Sequence, residues 1–312
     1  MERIEPESKA ELALRVLVTG ATGFLGSYIV KALLRDGHHV ITLKRSFSDC
    51  RRISGVLPDI ATADLDGAEL ETIVAQHAPI DAVVHAATLY GRDEAPFSSL
   101  MEANVSFPLR LLETAVSNGA KLFLNTDTFI NREPLDYKYL IGYTLSKKHF
   151  AEWGREAALK GAVRFINVKL EHVYGPLDND DKFTSYVVRS CVANVPELKL
   201  TPGLQARDFI YVADAADAYA LLLRRSAAHD SEPFRQFDLG TGRAIEVREF
   251  VRHVHRLARS QTLLQFGALP YREHEMMHSQ ADIEPLTALG WSSRVGLQEG
   301  IQAMIDEAAY SH

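Results

Sequence analysis

The chain has 312 residues, 46% of them hydrophobic, and a formal net charge of -7; it can bury a full core in one or two domains. This acidic balance, with a pI near 6.0, argues against nucleic acid or an anionic membrane as a partner, and no apolar run approaches the ~20 residues that span a bilayer. The two cysteines, Cys50 and Cys191, give neither metal spacing nor a disulfide framework, so a reducing cytoplasm is the expected compartment.

Residues 1–13 begin Met1-Glu-Arg-Ile-Glu-Pro-Glu-Ser-Lys9, too charged for a secretory signal, and read as a loose extension. An apolar strand over 14–19 then runs into Gly20, Gly23 and Gly26 and a helix over 24–35. The first glycine permits a sharp strand-to-helix turn, the second lets backbone approach a pyrophosphate, and the third lets the helix pack closely on the sheet. Unpaired N–H groups in Thr22-Gly-Phe24-Leu25 at the helix start would receive that anion. A glycine triplet alone also suits an ordinary tight turn. With a strand before it and a helix after it, it reads as a dinucleotide-binding turn.

The second strand, 39–43, ends in Lys44-Arg45-Ser46 with no acid before Asp49. A site for NAD places an acid about 20 residues beyond the glycines to hold the 2′-hydroxyl. Two cations and a hydroxyl suit a 2′-phosphate instead, so NADPH is expected over NAD. Asp64 and Leu65 close the next strand and are expected beside the adenine. Strands over 82–85, 121–125 and 163–170 alternate with helices over 67–77, 97–118 and 139–160, the rhythm of a doubly wound parallel α/β sheet. After Tyr174-Gly-Pro176 that rhythm breaks. A helix near 183–193 and short strands at 199–200 and 234–239 suggest a smaller lobe, while helices at 211–223 and 250–258 look like returns to the main body. The expected division is a Rossmann domain over 14–176, with returning segments about 207–226 and 237–258, and a substrate lobe mainly over 177–312.

Tyr143-Thr-Leu-Ser-Lys147 carries the chemistry. Residues four apart share a helix face, so the lysine lies beside the tyrosine. A free phenol with a pKa of ~10 is a poor proton shuttle at neutral pH, and a neighbouring ammonium lowers that value. The pair follows the glycine turn and a fifth strand ending Asn125-Thr126-Asp127-Thr128. That order is specific, whereas the tyrosine–lysine spacing alone is not.

With Val84-His-Ala-Ala87, Asn104, Val173-Tyr-Gly-Pro176, Arg207-Asp-Phe-Ile-Tyr-Val212 and Leu239-Gly-Thr-Gly242 added, the chain resembles the extended short-chain dehydrogenase/reductase superfamily over nearly its whole length. The branch is that of nucleotide-sugar epimerases, dehydratases and reductases. The resemblance implies that Tyr143 is the acid/base, that Thr126 orients the substrate oxygen, and that Lys147 holds the nicotinamide ribose and depresses the Tyr143 pKa. It implies further that His85, Ala86 and Ala87 pass under the cofactor and that Asn104 supports the active-site helix. Arg207 would bind the nucleotide diphosphate, and Thr88, Asp127, Thr128, Glu171 and His172 would line the sugar pocket together with loop 131–139. Members often form homodimers through a four-helix bundle; Leu109, Leu112, Ala115, Val116, Phe150, Trp153 and Ala157 offer the apolar area, though packing on the sheet gives part of the same pattern.

Departures narrow the reaction. Dehydratases of this branch follow the threonine with Asp-Glu, whereas Thr128 stands here in place of the glutamate. Lys44-Arg-Ser46 with Asp49, Arg52-Ile53, Asn125-Thr-Asp-Thr-Phe129, Tyr143-Thr-Leu-Ser-Lys-Lys148 and Pro270-Tyr-Arg272 look like the CDP-paratose/CDP-abequose synthases. That sub-branch reduces the 4-keto group of a CDP-deoxyhexose with NADPH. An NAD(P)-dependent 4-epimerase of the same fold is the alternative, and a non-catalytic NADPH sensor a remote one that the intact Tyr143 opposes. His274-Glu275-Met-Met-His278 matches the HExxH zinc-protease pattern, a formal rival. Without an obvious third ligand, no metal is expected.

Overall fold

The structure, a computed structural model, describes residues 13–91, 95–132, 139–228 and 232–310. The expected N-terminal extension, up to residue 12, and positions 133–138 of the loop expected over the sugar lie outside the described residues.

In chain order the elements are β1 (Arg15–Thr19), α1 (Phe24–Arg35), β2 (His39–Lys44), a 3-10 stretch (Arg51–Asp59), β3 (Ala61–Asp64), α2 (Leu70–Gln76) and β4 (Ala82–His85). There follow α3 (Phe97–Met101), a π-helical turn (Glu102–Ser106), α4 (Phe107–Ser117), β5 (Leu122–Thr128), α5 (Ile141–Leu159), β6 (Arg164–Leu170), β7 (His172–Tyr174) and α6 (Phe183–Val192). The last part holds β8 (Glu197–Leu200), β9 (Ala206–Tyr211), α7 (Val212–Ala228), β10 (Phe234–Leu239), β11 (Ala244–Glu246), α8 (Val247–Leu257), β12 (Leu263–Phe266), α9 (Glu284–Ala288) and α10 (Leu297–Tyr310).

Seven parallel strands form one sheet in the order β10-β6-β5-β4-β1-β2-β3. Because side chains alternate across a strand, Val16 and Val18 face one side and Leu17 the other. The first side packs on Ile29, Val30 and Leu33 of α1 and the alanine-rich face of α7; the second packs on Leu111, Leu112, Phe123, Phe150 and Phe165. Helices on both faces explain the unbroken apolar runs of β1 and β4. The strand order reverses at β1, between β2 and β4. A crevice therefore opens at the carboxyl ends of β1 and β4, where sheets of this kind hold ligands.

Two elements depart from the sequence expectation. The strand at 234–239, expected in the lobe, pairs with β6 at the sheet edge; its half-buried alternation is what an edge strand needs and reads like a short lobe strand. The helix at 250–258, expected to return to the sheet, is α8. Val247, Phe250, Val251 and Val254 bury one stripe in a separate core with Val187, Val188, Ile301 and Met304 from α6 and α10, and Phe250 stacks on Phe209 at 4.6 Å. By contrast α7 does return, packing beside α1. Leu112, Ala115 and Phe150 are buried core, so this part of the apolar pattern serves the sheet rather than a partner. Among the described residues no helix is long and apolar enough to cross a membrane.

Candidate active site

A cleft of about 2000 Å³ runs from the glycine turn to the lobe. At one end the glycine turn is shaped by backbone contact. Gly20 takes φ +72°, and a Cβ there would lie 2.6 Å from the Ala87 amide nitrogen. A Cβ on Gly26 would lie 2.0 Å from the Gly20 carbonyl oxygen, so α1 can start against the turn only if that residue has no side chain. Gly23 caps α1 without a side-chain bond, and no acid sits in the first turn. The N–H groups that open the helix thus remain for an anion, and Thr22, Phe24, Leu25, Ala86 and Ala87 line the cleft around them.

The ends of β2 and β3 depart from expectation in their pairing. Lys44, Arg45 and Leu65 line the cleft, but Ser46 and Asp64 do not. Lys44 stands opposite Asp64 in the parallel register and forms an ion pair with it. This bond holds the ammonium pKa above its ordinary value. Ser46 gives both its amide and its hydroxyl to Asp66, at 2.8 and 2.5 Å.

At the centre, Tyr143 and Lys147 project from one face of α5 and are 7% and 1% exposed. Burial is the dominant effect on both groups. It pushes the Tyr143 phenol well above its ordinary value, helped by nearby Tyr90 and Asp127 and opposed by the Thr128 hydroxyl. It lowers Lys147 to about 8, against the pull of the Asp127 carboxylate. Burial thus acts against the expected depression of the phenol by the lysine: it penalises the charged phenolate and holds the pKa above its ordinary value.

The hydroxyl that faces the phenol belongs to Thr128. Thr126 shares the cleft wall, but its hydroxyl bonds the buried Tyr219 on α7 at 2.8 Å. Asp127 turns its carboxylate to the Thr128 amide, Asn131 and Asn167 at 2.7–2.9 Å and serves as a fixed negative charge behind the pair. Asn104, 1% exposed in the π-helical turn, joins three parts of the site. It accepts from the Leu89 amide and the Thr88 hydroxyl and donates to Leu89 O and Ser146 Oγ. Ser146 in turn donates to the Tyr143 carbonyl at 2.8 Å. The extra residue of a π turn recurs at functional sites; here it aims an asparagine at the helix that carries the tyrosine.

His85 does not line the cleft. It is fully buried among Phe107, Phe123 and Phe150 and bonds Thr19 at 2.7 Å, and burial keeps it neutral, far below its ordinary pKa. Only Ala86 and Ala87 pass along the wall.

Charged side chains build the far end. Arg207 is buried in an ion pair with Glu275 at 2.5 Å, and both line the cleft. Arg272 lies over the Tyr139 ring at 3.7 Å. Glu171, with no exposed side-chain area, accepts from Arg132 at 3.0 Å and from Ser279 at 2.8 Å. His172 lies between Phe129 and Phe209; burial lowers its pKa, and Glu171 at 3.9 Å is beyond hydrogen-bond reach. The HExxH segment is a turn and coil rather than a helix. Its glutamate is held by Arg207, and no cluster of metal-ligating residues occurs among the described residues. The protease rival falls on that geometry.

Tyr90 and Tyr219 also belong to the site, outside the sequence motifs. Tyr90 stacks against Tyr143 with ring centroids 5.0 Å apart and carries Lys182 over its own ring at 3.9 Å; no periodicity marks it in its loop. Tyr219 had one available signal, a single phenol within the run Ala215-Ala-Asp-Ala-Tyr-Ala220.

The chain matches the NAD dependent epimerase/dehydratase family over residues 16–240. It is 33% identical to the CDP-abequose synthase of Salmonella muenchen and 31% identical to that of Salmonella typhimurium; each alignment covers 93% of this chain and 97% of the relative. A solved UDP-glucuronic acid 4-epimerase from Bacillus cereus, in complex with UDP-glucuronic acid and NAD, shares the fold. Its TM-score is 0.80 at 19% identity, covering 96% of this chain and all of the other (100%). With the glycine turn, the tyrosine–lysine pair and the seven-stranded sheet in place, the chain belongs to the NAD dependent epimerase/dehydratase family, an extended short-chain dehydrogenase/reductase.

Proposed function

We propose that the chain reduces the 4-keto group of a nucleotide-activated, CDP-like deoxyhexose with NADPH. The observation that carries this reading is the buried Tyr143–Lys147 pair, set between a cofactor-shaped turn and an arginine-bearing wall in one cleft. A ketone reduction needs a proton donor at the developing alkoxide, and a neutral phenol on the cleft wall beside Lys147 is such a donor. The relatives named CDP-abequose synthase support the substrate class.

Residues 14–176 bind the dinucleotide in this reading, and 177–312 contribute most of the substrate lobe. The cradle over Gly20, Gly23 and Gly26 fits a pyrophosphate: Cβ atoms at Gly20 and Gly26 would strike the chain's own backbone and force the turn apart, and the N–H groups that open α1 carry no side-chain cap. NADPH, when bound, supplies the hydride. Lys147 holds the nicotinamide ribose, Arg45 meets the 2′-phosphate and Leu65 packs on the adenine. Tyr143 gives its proton to the substrate oxygen, and Thr128 and Thr126 present hydroxyls to the same oxygen, donors whose preorganised placement stabilises charge as it develops. Arg207 and Arg272 receive the diphosphate, with Glu275 yielding its hold on Arg207. Glu171 acts through Arg132, which it fixes, and His172 closes the sugar pocket.

A 4-epimerase retaining NAD is the second reading. It is favoured by the carboxylates of Asp64 and Asp66, which engage Lys44 and Ser46. NADPH consumption with a 4-keto nucleotide sugar separates the two, because an epimerase leaves the cofactor unchanged over its cycle. We also propose a cytoplasmic homodimer. Exposed Leu145, Trp153 and Leu159 on α5, with Phe97 and Met101 on α3, supply the apolar surface; light scattering after size exclusion reads one or two copies.

A further inference from the structure

The turn after β2 contains an internal competition. Arg45, Phe47 and Ser48 line the cleft while Ser46 between them does not. The reason is local: Asp66 takes both Ser46 donors, the amide at 2.8 Å and the hydroxyl at 2.5 Å. The other polar groups of the turn are used internally. The Arg45 amide bonds Ser48 Oγ at 3.1 Å, and the Ser48 amide bonds the Arg45 carbonyl at 3.0 Å. Lys44 is paired with Asp64. Arg45, by contrast, lies beside the Phe47 ring at 5.8 Å, and no carboxylate pairs with it among the described residues.

We propose that Asp66 weakens the grip of this chain on NADP(H), by holding the Ser46 donors that a 2′-phosphate would take. This inference rests on the reading that the glycine turn and the β2 end hold a dinucleotide. Two anions cannot share one hydroxyl proton and one amide proton, and at this distance they repel. A ribose 2′-hydroxyl is different, because it can donate to a carboxylate. An acid that receives that hydroxyl usually sits at the end of the second strand; Asp66 stands instead in the turn after the third, 20 positions beyond the Ser46 it holds. That turn is tight, with the Leu65 amide bonded to the Lys44 carbonyl at 2.7 Å and the Gly67 amide to the Asp64 carbonyl at 3.1 Å, so Asp66 is presented to Ser46 by backbone geometry. The Ser46 donors stabilise its ionised form, keeping the carboxyl below its ordinary pKa. It is therefore an anion at neutral pH.

The test is direct binding of NADP+ and of NAD+ to the full chain without any sugar substrate, by titration calorimetry, for the wild type, Asp66→Asn and Asp66→Ala. Both variants are expected to tighten NADP+ by about tenfold, the scale of one hydrogen bond to a charged group. NAD+ should stay within about twofold or weaken. Thermal melts check that the turn remains folded. Unchanged or weaker NADP+ binding in both folded variants overturns the proposal, as does an equal gain for both cofactors. If the wild type binds NAD+ alone and the variants gain NADP+, the proposal stands and the NADPH reading of the enzyme fails. If the wild type already prefers NADP+ and neither variant binds it more tightly, the NADPH reading stands and the proposal fails.

Discussion

The two ends of the cleft are held together by different kinds of force. The glycine end is backbone geometry: a turn at φ +72°, a helix start with bare N–H groups, and positions where any side chain would strike a carbonyl or an amide. The lobe end is paired side-chain charge between residues far apart in sequence, with Arg207 and Glu275 buried together and a half-buried Arg132 on a buried Glu171. Backbone sites tolerate no added atom, but they depend on no distant partner. Charge-pair sites take their affinity from groups already satisfied, so a ligand must replace an existing contact rather than fill a vacant one. Tyr143 lies between these two regimes, and its behaviour follows burial.

The largest effect expected is at that midpoint. Tyr143→Phe should lower kcat by about 10²–10⁴-fold, the range of a lost general acid, with cofactor binding and Tm little changed. Unaltered turnover would remove Tyr143 from the chemistry. Next come Arg207→Met and Glu275→Met. Each leaves a buried charge without its partner and should destabilise the fold by about 3–5 kcal/mol, with the double variant recovering much of that loss. Additive losses in denaturant melts would mean that the pair is not coupled.

Gly26→Ala tests the backbone end and should cost about 1–3 kcal/mol through overpacking against the Gly20 carbonyl, with dinucleotide affinity falling in parallel. Normal stability and binding would show that the turn can relax.

How legible each end is in the sequence follows the same division. Glycines spaced along a strand–turn–helix announce their geometry because every constraint lies within a few residues. The Tyr143/Lys147 pair is legible for the same reason, since helical spacing alone puts both on one face. Thr126 against Tyr219, 93 positions apart, Arg207 against Glu275, 68 apart, and Ser46 against Asp66, 20 apart, depend on which strands become neighbours. No local pattern encodes that. The same blindness placed β10 in the lobe and α8 on the sheet, because an amphipathic stripe states that it will be buried but not against what.

The smallest effect concerns Lys147. Its ammonium loses its proton at about pH 8 in the folded chain, compared with 10.5 when unfolded. Turnover should fall as pH rises through 8, while the Tyr143 phenol is still protonated, and a pH–rate profile without a basic limb near 8 would contradict this assignment. The stability effect has the opposite sign. Between 8 and 10.5 the unfolded chain binds more protons, so Lys147 makes the fold more stable with rising pH across that window and adds no slope below it. Lys147→Met should therefore raise Tm at neutral pH, where burial of the ammonium opposes folding.

The most direct measurement is the loss of NADPH absorbance when the enzyme meets a panel of CDP-, dTDP-, GDP- and UDP-linked 4-keto-deoxysugars. Stoichiometric NADPH consumption with the CDP-linked sugar is the predicted result. No consumption with any member, together with NAD(H) released from the protein on denaturation, would contradict the reductase and establish a retained-cofactor epimerase in its place.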